Sequence, residues 1–161
     1  MADLRLTSIV DPGAILVPLV AGERDAAITE MIDALVKCGA APQGIRDELV
    51  ARVLDRERRG STGFGKGIAV PHVKHRAVTK MSAAIGLSPR GIDFNSLDRQ
   101  PVYSVVLLLS PEDRPEEHLQ AMEVVFKNLG RDTFRRYLRQ SAGVSEVVQL
   151  LADADGSQLP G

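Results

Sequence analysis

One cysteine, a near-balance of charge and no long apolar run are the scarcities that narrow the reading of this 161-residue chain. Cys38 alone cannot close an intrachain disulfide, and with no neighbouring His or Cys it makes neither a zinc site nor a redox pair. Its plainest place is the buried stripe of a helix, and a reducing, cytoplasmic setting is expected. Twenty basic residues against twenty-one acidic ones leave a formal charge of −1, so nothing global calls for nucleic acid or an anionic membrane. The longest apolar runs, such as 105–109, fall far short of the ~20 residues a membrane span needs. The first residues lack the basic-then-apolar design of a signal peptide. Internal repeats, low-complexity tracts, linkers and coiled-coil heptads are missing too, which leaves oligomeric state open.

What is present is ordinary globular material. Hydrophobic residues make up 44% and charged residues 25%, enough for a single core at this length. One domain over 1–161 is expected, with its core at about 15–151 and a frayed tail at 152–161. The apolar run at 15–19 reads as a strand, with Pro18 suited to an edge. Ile28, Met31, Ile32, Leu35 and Val36 repeat at helical spacing before Gly39. Pro42 opens a second helix, with Leu49, Val50, Val53 and Leu54 on one face, that ends at Gly60.

Four glycines within 60–67 predict an irregular loop, and 68–70 a short strand. Met81, Ala83, Ile85 and Leu87 alternate as in a half-exposed strand, with a turn at 88–91. The run 102–109 predicts a central strand covered on both faces. Pro115 starts a helix whose stripe is Leu119, Met122, Val125, Phe126 and Leu129, closed by Gly130. Shorter helices follow at 134–138 and 144–151. This order of elements predicts an α/β fold of three layers, α/β/α, around a mixed sheet.

The chemistry concentrates around the glycines. Residues 52–76 carry seven Lys or Arg against Asp55 and Glu57, a local basic excess that draws an anion or an acidic surface. Gly60, Gly65 and Lys66 match a phosphate-cradling P-loop up to its last position, where Gly67 replaces the magnesium-binding hydroxyl. A P-loop also needs a strand before its glycines and a helix after, and here the order is reversed. Gly63, Gly65 and Gly67 likewise miss the dinucleotide spacing. The loop makes more sense as a device that presents His72. Pro71 fixes the backbone ahead of it, and a neutral imidazole titrating near ~6.5 can attack a phosphoryl group at cytoplasmic pH and later release it. Arg56, Ser61, Thr62 and Lys74 are candidate donors to the added charge. His118, in the first turn of the Pro115 helix, stands where a helix N-terminus favours an anion. His75 reads as a surface residue in a polar turn, and Arg131, Arg135, Arg136 and Arg139 as an exposed helix face.

Arg56-Glu57, Gly60-Ser61-Thr62-Gly63, the run from Gly67 through Ile68, Ala69, Val70 and Pro71 to His72, and the distant His118-Leu119 together resemble the enzyme IIA domains of the fructose/mannitol class of the bacterial phosphotransferase system. Lys74, two places after the histidine, is closest to the nitrogen-regulatory members. The resemblance implies the enzyme IIA fold and a transient phosphohistidine. His72 would accept a phosphoryl group from the histidine-containing phosphocarrier. His118 and Arg56 would stabilise it, and Ser61, Thr62, Gly63 and Lys74 would form the phosphate-binding loop. Neither cofactor nor metal is implied. The phosphoryl group would then pass to a IIB domain or, in the nitrogen-regulatory manner, its presence would control binding to target proteins. A module of this fold that senses an anion or partner without turnover is the alternative. Val73 departs from the small residue usual after the histidine, and a β-branch there disfavours positive φ.

Overall fold

The computed structural model describes residues 4–156. Helix α1 (Leu6–Ile9) leads directly into strand β1 (Val10–Leu16), followed by helix α2 (Arg24–Lys37) and, after a short 3-10 turn, helix α3 (Arg46–Arg59). Three short strands come next: β2 (Gly63–Gly65), β3 (Ile68–Ala69) and β4 (His72–His75). The long strands β5 (Ser82–Ile92) and β6 (Val102–Pro111) precede helices α4 (Pro115–Leu129), α5 (Asp132–Gln140) and α6 (Val144–Asp155).

All six strands form one sheet in the order β1-β5-β6-β3-β2, with β4 also on β6. The sheet is mixed. β1 and β5 run parallel, β5 and β6 antiparallel, and β3 and β4 both run parallel to β6. Because side chains alternate across a strand, β6 sends Val106 and Leu108 into one core with α1, α4, α5 and α6, and Val105, Leu107 and Leu109 into another with α2 and α3. Helices therefore cover both faces, the three-layer α/β/α arrangement that the order of elements predicts.

Several elements differ from their sequence reading for identifiable reasons. The first strand is Val10–Leu16 rather than 15–19, and the core reaches back to Leu6 and Ile9, outside 15–151. Residues 152–155 of the expected frayed tail complete α6, where Asp155 accepts hydrogen bonds from the Leu6 and Thr7 amides at 2.8 and 3.0 Å. Residues 157–161 lie outside the described chain. Gly63–Gly65 is a strand rather than loop, paired antiparallel with β3. β5 is buried on both faces through Leu87 and continues across 88–91, where the expected turn is instead a register shift with Gly91 at φ 85°.

On α4 the buried stripe is His118, Ala121, Val125, Asn128 and Leu129. Leu119 is 63% exposed and Phe126 37%. The apolar residues alone misplace this face because two polar side chains, His118 and Asn128, belong to it. The last turn of α4 also ends without a left-handed residue, Gly130 lying at φ −73°.

Candidate active site

β3 and β4 form a single line along β6, broken at Val70 and Pro71. Ile68 is opposite Ser104 and His72 opposite Leu108, while the Leu108 amide donates to the Pro71 carbonyl across the break at 2.9 Å. Proline cannot donate to a ladder, so the break falls there, and the next residue is the histidine. Alternation along β4 then sorts its side chains. Val73 enters the core under α2 and α3, and His75 meets Glu48 of α3. His72 and Lys74 are left for the opposite face, the one covered by α4.

The partly buried His72 has its Nδ1 3.2 Å from the Val70 carbonyl. A carbonyl oxygen only accepts, so Nδ1 carries the proton and Nε2 keeps the lone pair. That is the tautomer a nucleophile needs. The His118 ring lies with its centroid 5.8 Å from that of His72, the two planes at 52°. His118 is 8% exposed, a buried member of α4 rather than a residue on its surface. Desolvation by burial, then the charge of Lys74 and then His72, hold its pKa below the ordinary imidazole value.

Beneath His118 lies a partner that its sequence context does not announce. Ser110, fully buried at the end of β6, has its Oγ 2.6 Å from His118 Nδ1 and 3.3 Å from Met81 Sδ. The hydroxyl has one hydrogen. When it donates to the sulfur, it accepts from Nδ1–H and leaves Nε2 of His118 with a lone pair. When it donates to Nδ1, Nε2 carries the hydrogen and can itself donate to an anion. The one sequence signal for Ser110 is a hydroxyl that closes the apolar run 105–109.

The proposed phosphate-binding loop is pinned to α3 and to the chain after β5. Ser61 donates to the Phe94 carbonyl and accepts from the Gly63 amide at 2.9 Å. Both the amide and the hydroxyl of Thr62 donate to the Glu57 carboxylate, at 2.9 and 2.6 Å. Glu57 is 3% exposed. A carboxylate in the last turn opposes the helix dipole, and that misfit is the sequence signal for its separate task of pinning the loop. Arg56 donates to the Gly60 carbonyl at 2.8 Å. Among the described residues its hydrogen bond ties helix to loop and does not reach either histidine. Gly63 is required by space: a Cβ there would lie 2.2 Å from Ser96 Oγ.

His75 is buried, 4% exposed, and not a surface residue. Its Nδ1 accepts from the Ala77 amide at 2.9 Å, so Nε2–H donates to Glu48, also at 2.9 Å. That bond holds the Glu48 carboxyl below its usual range. Arg52 adds a second tie from α3, donating to the Lys74 carbonyl at 2.8 Å. Val73 fits without strain, because β4 is extended and its side chain is buried at 6% exposure. Cys38 caps the C-terminal end of α2 and is partly buried against the core. No group of three or more metal-ligating side chains occurs among the described residues, and none of their helices is long and apolar enough to cross a membrane.

Residues 8–154 match the family described as the phosphoenolpyruvate-dependent sugar phosphotransferase system, EIIA 2. The chain belongs to that family. Relatives of this EIIA include the fructose-specific EIIA component of Haloferax volcanii, 31% identical over 93% of this chain and 91% of that one. Among solved structures, the nitrogen regulatory protein IIA-Ntr of Neisseria meningitidis superposes with a TM-score of 0.79 at 25% identity, covering 90% of this chain and 97% of its own. The Escherichia coli mannitol IIA, solved in complex with phosphorylated mannitol IIB, gives 0.73 at 25% identity over 89% and 99%. This EIIA is thus a phosphotransferase component, a phosphoryl carrier with the fold of the mannitol and nitrogen-regulatory IIA proteins.

Proposed function

We propose that His72 is the phosphoryl acceptor and that its Nε2 forms the bond. The observation that carries this is the Nδ1 contact with the Val70 carbonyl, which fixes the tautomer and leaves one ring nitrogen able to attack. The lone pair of Nε2 attacks phosphorus in line, the P–N bond of the donor's phosphohistidine breaks, and its electron pair returns to the donor imidazole. No proton has to leave His72, since Nδ1–H stays on the carbonyl. His118, kept neutral by burial, donates Nε2–H to a phosphoryl oxygen while Ser110 donates to its Nδ1. Lys74 supplies positive charge from the same face, and Arg56, in the last turn of α3, exchanges the Gly60 carbonyl for phosphate.

Catalysis of this kind is positioning and charge stabilisation with no cofactor. The donor that fits is the histidine-containing phosphocarrier, in the cytoplasm. Leu119, beside His118, and Phe126, about two turns further along α4 and paired with Phe64 at 5.2 Å, supply exposed apolar surface for a protein partner. On the acceptor side we favour a regulatory target that reads the phosphorylation state of His72 over a IIB domain. The whole chain acts as one phosphoryl-carrier domain.

Incubation with the upstream phosphotransferases and phosphoenolpyruvate, followed by intact-mass measurement at neutral and acidic pH, tests the assignment. An acid-labile phosphate adduct, absent in His72→Ala and shorter-lived in His118→Ala, is expected. An adduct that persists in His72→Ala refutes it, and a folded wild type that is never phosphorylated leaves the non-catalytic sensing module standing instead.

A further inference from the structure

Away from both histidines, a cavity of about 450 Å³ opens between the β2–β3 turn, the start of β6 and one face of α5. Its lining carries Lys66, Arg135, Arg136 and Arg139, with Asp132 as the one carboxylate among the lining residues. Asp132 is itself 82% exposed. Asp132 pairs with Arg135, and no carboxylate among the lining residues pairs with Lys66, Arg136 or Arg139. Four cations on a concave wall of a chain with net charge −1 build a local positive potential that an anion relieves.

These groups are also held in place. Arg135, with 14% of its side chain exposed, donates to the Leu129 carbonyl at 2.8 Å and to Asp132 at 3.3 Å. The Arg139 guanidinium lies 3.5 Å above the Tyr103 ring, stacked and therefore oriented. Lys66 is a non-glycine residue at φ 60°, between Gly65 at 105° and Gly67 at 78°. That conformation is disfavoured for a side-chain-bearing residue, yet it sets a lysine on the rim.

We infer that this cavity binds the diphosphate group of a small anion. Four cations against the one carboxylate leave the wall an excess of three positive charges, which a diphosphate offsets more fully than a single orthophosphate does. Planar guanidinium forks favour phosphate oxygens. The volume falls within the ~300–1,000 Å³ of small-molecule sites. The diphosphate can come from inorganic pyrophosphate or from a nucleoside diphosphate whose base lies against the Arg139–Tyr103 stack. The site is no P-loop, since side chains of α5 and Lys66 supply the donors. It is separate from His72: the β6 register places Ser104, in the cavity wall, four residues from the partner of His72, about 13 Å along a strand.

Calorimetric titration of the full chain without magnesium, using pyrophosphate, ADP, GDP, orthophosphate and a penta-glutamate peptide as probes, tests the inference. Mapping of amide shifts by NMR locates whatever binds. A single saturable site is expected, at least about tenfold tighter for pyrophosphate than for orthophosphate, with shifts centred on Lys66, Arg135 and Arg139. Tighter binding of either nucleotide than of pyrophosphate identifies a nucleoside diphosphate, and equal binding the bare diphosphate. Arg136→Gln and Arg139→Gln, with folding checked by circular dichroism, are each expected to weaken binding about tenfold, as is Lys66→Gln at the exposed rim. His72→Ala binds as the wild type does, so this result is independent of phosphoryl transfer. Orthophosphate and pyrophosphate binding alike with no effect of the variants, shifts centred on His72 and His118, or the acidic peptide binding where diphosphates do not, would each overturn the inference.

Discussion

Ser110 can decide which nitrogen of His118 is available, because its single hydrogen is shared between an imidazole and a thioether. Replacing it with alanine removes that choice and leaves Nδ1 of His118 without its partner. The net value of such a bond is about 1 kcal/mol, roughly a fivefold change in an equilibrium or rate. Ser110→Ala is expected to shorten the lifetime of the phosphohistidine by about that factor. It is also expected to shift the tautomer balance of His118 seen in ring ¹⁵N spectra, and Ser110→Thr, which keeps the hydroxyl, to restore both. An unchanged tautomer signature would reduce Ser110 to a packing residue. Ser110 illustrates why the site is only partly legible in sequence: an imidazole after a proline is visible, but a hydroxyl eight positions before a second histidine becomes its partner only when strand and helix fold together.

Among the elements, the short β2–β3 hairpin is constrained by a close approach to the chain after β5. Gly63 lies against Ser96, and a Cβ added there would meet Ser96 Oγ at 2.2 Å and Ser96 Cβ at 3.1 Å. Gly63→Ala is expected to cost about 1–3 kcal/mol, read as a lower Tm, with partial recovery on adding Ser96→Gly, which removes the obstructing atoms. No recovery would mean that the loss arises elsewhere in the loop. Four glycines in sequence say that the chain is irregular here, but the reason for this one is a neighbour 33 positions away. The same holds for α4. Apolar spacing places the helix correctly but rotates its face, since His118 and Asn128 are buried while Leu119 and Phe126 face outward. A hydrophobic pattern reports burial only where burial is apolar, and a site at a helix–sheet boundary breaks that rule.

For the molecule as a whole, the layering is well announced. β6 is apolar from Val105 to Leu109 because both faces are covered there, and the order of strands and helices leaves few alternatives to a mixed sheet between helical layers. The edges are read less well, since α1 and the start of β1 hold few apolar residues and depend on contacts with α6 at the far end of the chain. Burial of His118 also ties the site to overall stability. Its folded pKa lies below the ordinary value, so between that value and ~6.5 the unfolded chain binds more protons, and stability rises with pH there. Stability is therefore expected to be retained above about pH 6.5 and to fall as the pH drops through that window. His118→Gln is expected to flatten the dependence of Tm on pH between about 7 and 5. A slope identical in wild type and variant would assign the effect to another group.

Val73 sits immediately after His72 and is rooted in the interior beneath α2 and α3, with Arg52 and Glu48 gripping the two residues beyond it. The main chain at His72 is thus anchored by the fold itself. With His72 as the proposed acceptor, charging and discharging the imidazole would be a matter of rotating hydroxyls and swinging cationic side chains over an anchored strand, and each round of transfer would carry little reorganisation.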